Sequence, residues 1–295
     1  MNTNKMFTGS MPAIVTPFTA DASSVDYDSL ANLLSVQLAA GVTGIVVCGS
    51  TGESATLSQA EYSKVIAFTV EQVKGLVPVI AGIGTNSTQV GIELGKLIRE
   101  LKVDGGLVVT PPYNKPPQRG VIEHFRQIKS ASSGLPLIAY NIPGRSSLNL
   151  TPDTIAALAK EKLIVAVKES TGNMDQVMDT IAACNDQISI LSGEDSLVHA
   201  IMSCGGHGVI SASQNVAPKG FAELTAANLK GDFATGAKIQ LQLLPLVRAM
   251  FVETNPIPAK VGLLLQGVIK HSSVRLPLVP ALESTIEKVK SVITK

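Results

Sequence analysis

Several things are scarce in this 295-residue chain, and each scarcity removes a class of function. Only three cysteines occur, Cys48, Cys184 and Cys204, with no close pair and no histidine at zinc-ligand spacing, so they read as small buried hydrophobes. The four histidines, His124, His199, His207 and His271, are scattered. Metal-dependent chemistry is therefore disfavoured, and acid–base chemistry must rest on other side chains. Charge of either sign is missing in excess: 24 lysines and arginines face 23 acidic residues, a net charge of +1. That leaves no basic surface for nucleic acid or for an anionic membrane. No apolar run reaches the roughly 18 residues that a membrane span needs, and residues 1–10 are too polar for a secretory leader, which predicts a soluble, cytoplasmic protein.

What is present is apolar and periodic. Hydrophobic residues make up 45% of the chain and charged residues 16%, enough to bury a large core. Eight short apolar runs cover residues 13–16, 44–49, 77–82, 107–110, 137–141, 164–169, 188–193 and 208–211. They lack polar alternation, as strands buried on both faces of a parallel sheet require. Between them lie helical stripes such as Leu94, Leu97, Ile98 and Leu101, or Leu30, Leu33, Leu34 and Leu38. Ser58 with Glu61 forms a capping box, and Thr151 precedes a proline at the first helical position. Eight strand–helix units without a break predict an α/β fold, a (β/α)8 TIM barrel, rather than an open doubly wound sheet. We assign residues 1–214 to the barrel that carries the site. Residues 215–295, with periodicity at Leu241, Leu244, Val247 and Phe251, form additional C-terminal helices packed on the barrel or at a subunit contact, including the last barrel helix.

In such a barrel the residues at the C-terminal strand ends are the first candidates for chemistry. Lys168 closes the apolar stretch Leu163-Ile164-Val165-Ala166-Val167. Poor solvation there favours a free amine able to attack a carbonyl and form a Schiff base; the same placement also suits a lysine that meets a buried carboxylate or snorkels at a strand end. Tyr140 closes the preceding strand, where its phenol either shuttles protons for that lysine or packs at the rim. The turn Gly49-Ser50-Thr51-Gly52-Glu53-Ser54 allows close backbone approach and offers hydroxyls to a carboxylate, but it lacks the spacing and lysine of a phosphate loop. Arg145, just past Tyr140, is either a two-pronged carboxylate holder or a solvated surface cation.

Read in order, Gly49-Ser50-Thr51-Gly52-Glu53-Ser54, Tyr140-Asn141-Ile142-Pro143-Gly144-Arg145, Val167-Lys168-Glu169-Ser170-Thr171-Gly172, Leu191-Ser192-Gly193-Glu194-Asp195 and Gly208-Val209-Ile210-Ser211 resemble the pyruvate-dependent class I aldolase (N-acetylneuraminate lyase) superfamily. Within it, the likeness is to the dihydrodipicolinate synthase (4-hydroxy-tetrahydrodipicolinate synthase) family, over nearly the whole chain. The resemblance implies condensation of pyruvate with L-aspartate 4-semialdehyde in lysine and diaminopimelate biosynthesis, by a homotetramer that needs no metal or organic cofactor. It makes Lys168 the Schiff-base nucleophile, Tyr140 the proton donor and acceptor, and Ser50 or Thr51 the proton relay and pyruvate-carboxylate ligand. It makes Arg145 the ligand of the acceptor's carboxylate, and it has Gly193 and Ile210 line the pyruvate pocket through their backbone carbonyls. Tyr113 matches a tyrosine lent across a dimer interface to the neighbour's site.

Two departures bear on this. Ser50 stands where the synthases usually carry threonine, a wording shared with sialic acid lyases, whereas Arg145 and Asn255-Pro256-Ile257-Pro258 follow the synthases. An N-acetylneuraminate lyase or a 2-keto-3-deoxy sugar acid aldolase is thus the alternative within this chemistry, and a non-catalytic ligand-binding paralogue is the alternative outside it. In the matching lysine-feedback site Ser54, Ala55 and Asn86 are kept, but Gln59, Tyr62, Val90 and Pro112 are replacements. Without a carboxylate at Val90 the ammonium of lysine loses its partner, which predicts weak or absent feedback.

Overall fold

The computed structural model describes residues 5–184 and 186–293; residues 1–4 of the expected barrel unit and 294–295 of the C-terminal one lie outside the described residues. Eight parallel strands form the sheet: β1 Gly9–Pro12, β2 Ile45–Val47, β3 Val79–Ile83, β4 Gly105–Val109, β5 Leu137–Asn141, β6 Ala166–Glu169, β7 Ser189–Ser192 and β8 Gly208–Ser211. Each pairs with the next from β2 to β8, and β1 returns to β8 with Gly9 opposite Gly208 and Pro12 opposite Ser211. The remaining seam, β1 to β2, is carried by a bridge between Ala13 and Val46, where the Ile14 N–H donates to the Val46 carbonyl at 2.9 Å. The architecture is a (β/α)8 TIM barrel with additional C-terminal helices.

Each strand is buried on both faces, which explains the unbroken apolar runs. Met11, Val46, Ile80, Leu107, Ile138, Ala166, Leu191 and Ile210 pack inside the barrel. Phe7 fills the interior beside Gly105, so close that a Cβ at Gly105 would meet the Phe7 ring at 2.8 Å. Outward residues such as Ile45, Val47, Val79 and Val108 pack beneath the helices. The helices begin where short polar side chains accept the first free N–H groups: Asp26 from Ser29, Ser87 from Val90, and Ser58 from Glu61 in a complete capping box. Each such cap is worth about 1 kcal/mol. Thr151 caps the helix Pro152–Lys160 with its proline in the first turn.

Two expectations need correction. The first strand is Gly9–Pro12 rather than residues 13–16. Residues 13–16 are buried, but beyond the Ala13 bridge they leave the ladder, and burial alone made them look like a strand. Glycine and serine open the true strand because it runs close against β8 and Thr43. Cys48 and Cys184 are buried, whereas Cys204 is exposed: it caps the C-terminus of the helix Val198–Ser203 and enters the surface turn Gly205-Gly206.

Past β8 the helices Pro218–Leu229 and Phe233–Ala249 pack on each other, and the former also lies against β1. Of the stripe read there, Val247 is buried while Leu241 is exposed. The helix Ile257–Leu265, buried over most of its length, packs against Glu283–Ile293.

His124, in the helix Gln118–Ala131, is buried with Nδ1 3.0 Å from the Thr88 hydroxyl and Nε2 unpartnered. Burial pushes its pKa down to about 4. Because the folded state resists protonation more than the unfolded chain, this contribution is complete above the ordinary histidine pKa and is lost as pH falls toward 4. We expect about 3 kcal/mol to be lost across that window. A His124→Gln protein should show a flatter melting-temperature profile there; identical profiles would refute the assignment.

Candidate functional site

Strand alternation places the chemistry. In β5 and β6, Ile138, Tyr140, Ala166 and Lys168 point into the barrel, and Tyr140 stands directly opposite Lys168 in the register. Asn141 and Glu169 point the other way. Glu169 accepts from Asn141 Nδ2 at 3.0 Å, from the Thr171 N–H at 2.8 Å and from Gln176 Nε2 at 3.3 Å. Burial raises its carboxyl pKa despite these bonds, and the cluster pins the end of β6 from outside.

Lys168 is 6% exposed, and its Nζ lies 4.2 Å from the centroid of the Tyr140 ring. Among the described residues its amine has no hydrogen-bond or ion-pair partner, so it meets no buried carboxylate at salt-bridge distance. An unpartnered amine facing a cavity is available to a carbonyl. Gly193 must lack a side chain, since a Cβ there would fall 1.8 Å from Ser170 Oγ and 3.0 Å from Lys168 Cε.

The cavity above this amine has a volume of about 70 Å³ and gathers Ser50, Thr51, Tyr140, Arg145, Lys168 and Gly193. Six sequence candidates thus meet in one place. Of the other two, Ile210 keeps its side chain in the barrel packing, so the expectation for it concerns its backbone carbonyl alone, and Tyr113 is 88% exposed on the loop after β4 with φ of +74°.

The hydroxyl loop after β2 is tied down from three directions. Thr16 Oγ1 donates to the Gly52 carbonyl at 2.7 Å. Thr51 Oγ1 accepts from Asn255 Nδ2 at 2.8 Å, while Ser50 is exposed. Glu53, held at φ +52°, forms a buried ion pair with Lys260 at 2.5 Å and accepts from the Arg275 N–H at 3.1 Å. Lys260 also donates to the Ser273 carbonyl at 2.8 Å and sits 4.1 Å from the Phe18 ring centroid. Burial pushes the Lys260 pKa down to about 8, outweighing the pull of Glu53.

Among the cavity residues not marked as site residues in the sequence are Glu194, Phe251 and Asn255. Asn255 accepts from Arg145 Nη2 through its main-chain oxygen at 3.1 Å. The motif beginning at Asn255 was legible, but its reach to a loop about two hundred positions away was not. Burial, then the neighbouring Asp195, pushes the Glu194 carboxyl pKa up. No group of three or more His, Cys, Asp or Glu among the described residues is arranged to hold a metal ion.

A second cavity, of about 260 Å³, contains Ser54, Gln59, Tyr62 and Val90 of the expected feedback site. Ala55, Asn86 and Pro112 do not line it. The Tyr62 hydroxyl is committed to the Gly82 carbonyl at 2.8 Å. The carboxylate lining this cavity, Glu93, is exposed and accepts from Gln89 at 2.9 Å.

Comparison with known proteins gives the family and the fold. Residues 6–295 match the model of the dihydrodipicolinate synthetase family. The 4-hydroxy-tetrahydrodipicolinate synthase of Syntrophobacter fumaroxidans is 48% identical over 275 residues, 93% of this chain and 94% of that protein. The crystal structure of dihydrodipicolinate synthase from Thermotoga maritima is 41% identical, with a TM-score of 0.95 and 98% of each chain covered. A monomeric dihydrodipicolinate synthase variant is equally similar, at 41% identity and a TM-score of 0.95 over 98% of this chain and 96% of that one.

Proposed function

This chain belongs to the dihydrodipicolinate synthetase family, and from that membership we infer that it is a carbon–carbon lyase of the class I aldolase type, condensing pyruvate with L-aspartate 4-semialdehyde through a Schiff base. The observation that carries the mechanism is the buried, unpartnered Lys168 amine facing Tyr140 in a cavity that also holds Arg145.

Lys168 attacks the pyruvate ketone and water leaves as the imine forms. Tyr140, with Thr51 or Ser50, takes the methyl proton to give the enamine, whose carbon attacks the aldehyde, and the same relay returns that proton to the alkoxide that forms. Arg145 holds the acceptor's carboxylate by charge-assisted hydrogen bonds. The acceptor's amine then adds to the imine carbon, the bond to Lys168 breaks, and the lysine is released with the proton. The imine is itself the electron sink, so the scheme calls on no metal or organic cofactor.

Tyr113 reaches out of its own subunit, which supports its donation to a neighbour's site within a dimer, two dimers making a homotetramer. Residues 1–214 supply the nucleophile, and residues 215–295 complete the site through Asn255 and Lys260. The three free thiols suit a reducing cytoplasm, and among the described residues no helix is long and apolar enough to cross a membrane.

The test is pyruvate consumption with L-aspartate 4-semialdehyde, run beside N-acetylmannosamine and simple sugar aldehydes. Consumption only with the semialdehyde is expected, and consumption only with a sugar aldehyde would replace this reading by the lyase or sugar-acid aldolase. Arg145→Leu should lower kcat/KM for the semialdehyde roughly 10- to 100-fold while pyruvate still forms its Schiff base. Submillimolar lysine should leave the rate unchanged, since Val90 offers its ammonium no carboxylate and Glu93 remains solvated. A submillimolar inhibition constant would overturn that expectation.

A further inference from the structure

Asn255 has one capacity that the scheme above leaves unused. The residue is 7% exposed and lines the cavity with Lys168 and Arg145. Its Nδ2 is spent on Thr51 and its main-chain oxygen on Arg145, but its Oδ1 is buried without any hydrogen-bond partner. A buried amide oxygen left unpaired is unfavourable, and such atoms in native proteins usually await a ligand or an ordered water.

The geometry of an α-amino acid supplies the donor. One Nη2 hydrogen of Arg145 is held by the Asn255 carbonyl, which leaves the other guanidinium N–H groups for a carboxylate. In the acceptor the ammonium sits on the carbon next to that carboxylate. A carboxylate on Arg145 therefore carries the ammonium toward the residue that already touches Arg145. We propose that Asn255 is the specificity residue for the acceptor's α-amino group, its Oδ1 accepting an N–H of that group while its Nδ2 holds Thr51. This rests on the acceptor assigned above. Glu194 is the competing acceptor in the cavity, and substituting each residue in turn separates the two.

The experiment compares two acceptors at saturating pyruvate: L-aspartate 4-semialdehyde and succinate semialdehyde, which has hydrogen in place of the amine. The loss of ring closure with the second acceptor is common to every variant, so it cancels when ratios are compared. In Asn255→Ala the ratio of kcat/KM for the two acceptors should fall roughly 10- to 100-fold from the wild-type value. The yield of the pyruvate adduct fixed by borohydride measures separately what the lost contact to Thr51 costs, and at saturating pyruvate that cost is common to both acceptors and drops out of the ratio. If the alanine protein is insoluble, Asn255→Ser, whose shorter side chain withdraws the oxygen, is read in the same way. An unchanged ratio with both rates lowered would show that Asn255 acts only through Thr51, and would overturn the proposal. So would a collapse of the ratio in Glu194→Gln with Asn255→Ala unaffected. Failure of the acceptor assignment looks different: the wild-type protein would then consume pyruvate with neither semialdehyde.

Discussion

Lys168→Ala should lower kcat on the order of 10⁴-fold or more and should abolish the mass increment that borohydride fixes on the protein in the presence of pyruvate. The amine is buried, has no hydrogen-bond or ion-pair partner and faces the aromatic ring that would exchange protons with it. No neighbouring cation substitutes, since Lys260 is locked into its pair with Glu53 and Arg145 cannot act as a nucleophile. Because Lys168 carries no structural hydrogen bond or ion pair among the described residues, the alanine protein should melt within a few degrees of wild type. Two outcomes would remove the Schiff-base scheme: retained turnover, or a borohydride-fixed adduct that maps to another lysine.

The second large effect lies outside the cavity. Lys260→Met should destabilise the fold by about 3–5 kcal/mol, because it leaves Glu53 charged and buried without its partner. At fixed protein concentration this corresponds to a fall in melting temperature of roughly 10 °C. Adding Glu53→Gln should recover at least half of that loss, since the remaining buried group is then neutral and still accepts from the Arg275 N–H. Activity should not recover in parallel. The pair fixes the far end of the loop that carries Ser50 and Thr51, and removing the charge does not restore that geometry. Additive losses in stability would mean that the two side chains do not act as a pair.

Most of the barrel was legible in the sequence because burial on both faces erases polar alternation, and seven of the eight apolar runs overlap strands. The exception, residues 13–16, shows the limit of that signal: hydrophobicity reports burial, and at the end of β1 burial continues where the ladder stops. Lys168 and Tyr140 were visible because a strand-end charge or phenol breaks an apolar run, and Arg145 because it follows Tyr140 by five positions. Ile210 was marked only through the family resemblance and for its backbone carbonyl, while its side chain belongs to the barrel packing. Asn255 and Glu194 stood inside motifs already noted, yet nothing local to either showed that it faces the cavity. That information resides in contacts such as Asn255 to Thr51, across 204 positions.

That span sets the order of events when the polypeptide is made. The loop bearing Ser50 and Thr51 leaves the ribosome about two hundred residues ahead of the groups that hold it, Asn255, Lys260 and Arg275. Closing a loop of this length costs about 5 kcal/mol in chain entropy and must be met by contacts that form together. Until they do, Glu53 stays hydrated and the growing barrel holds its reactive amine in an unfinished cavity. The loop's final geometry is thus set only when the segment that bears Asn255, Lys260 and Arg275 docks on the barrel.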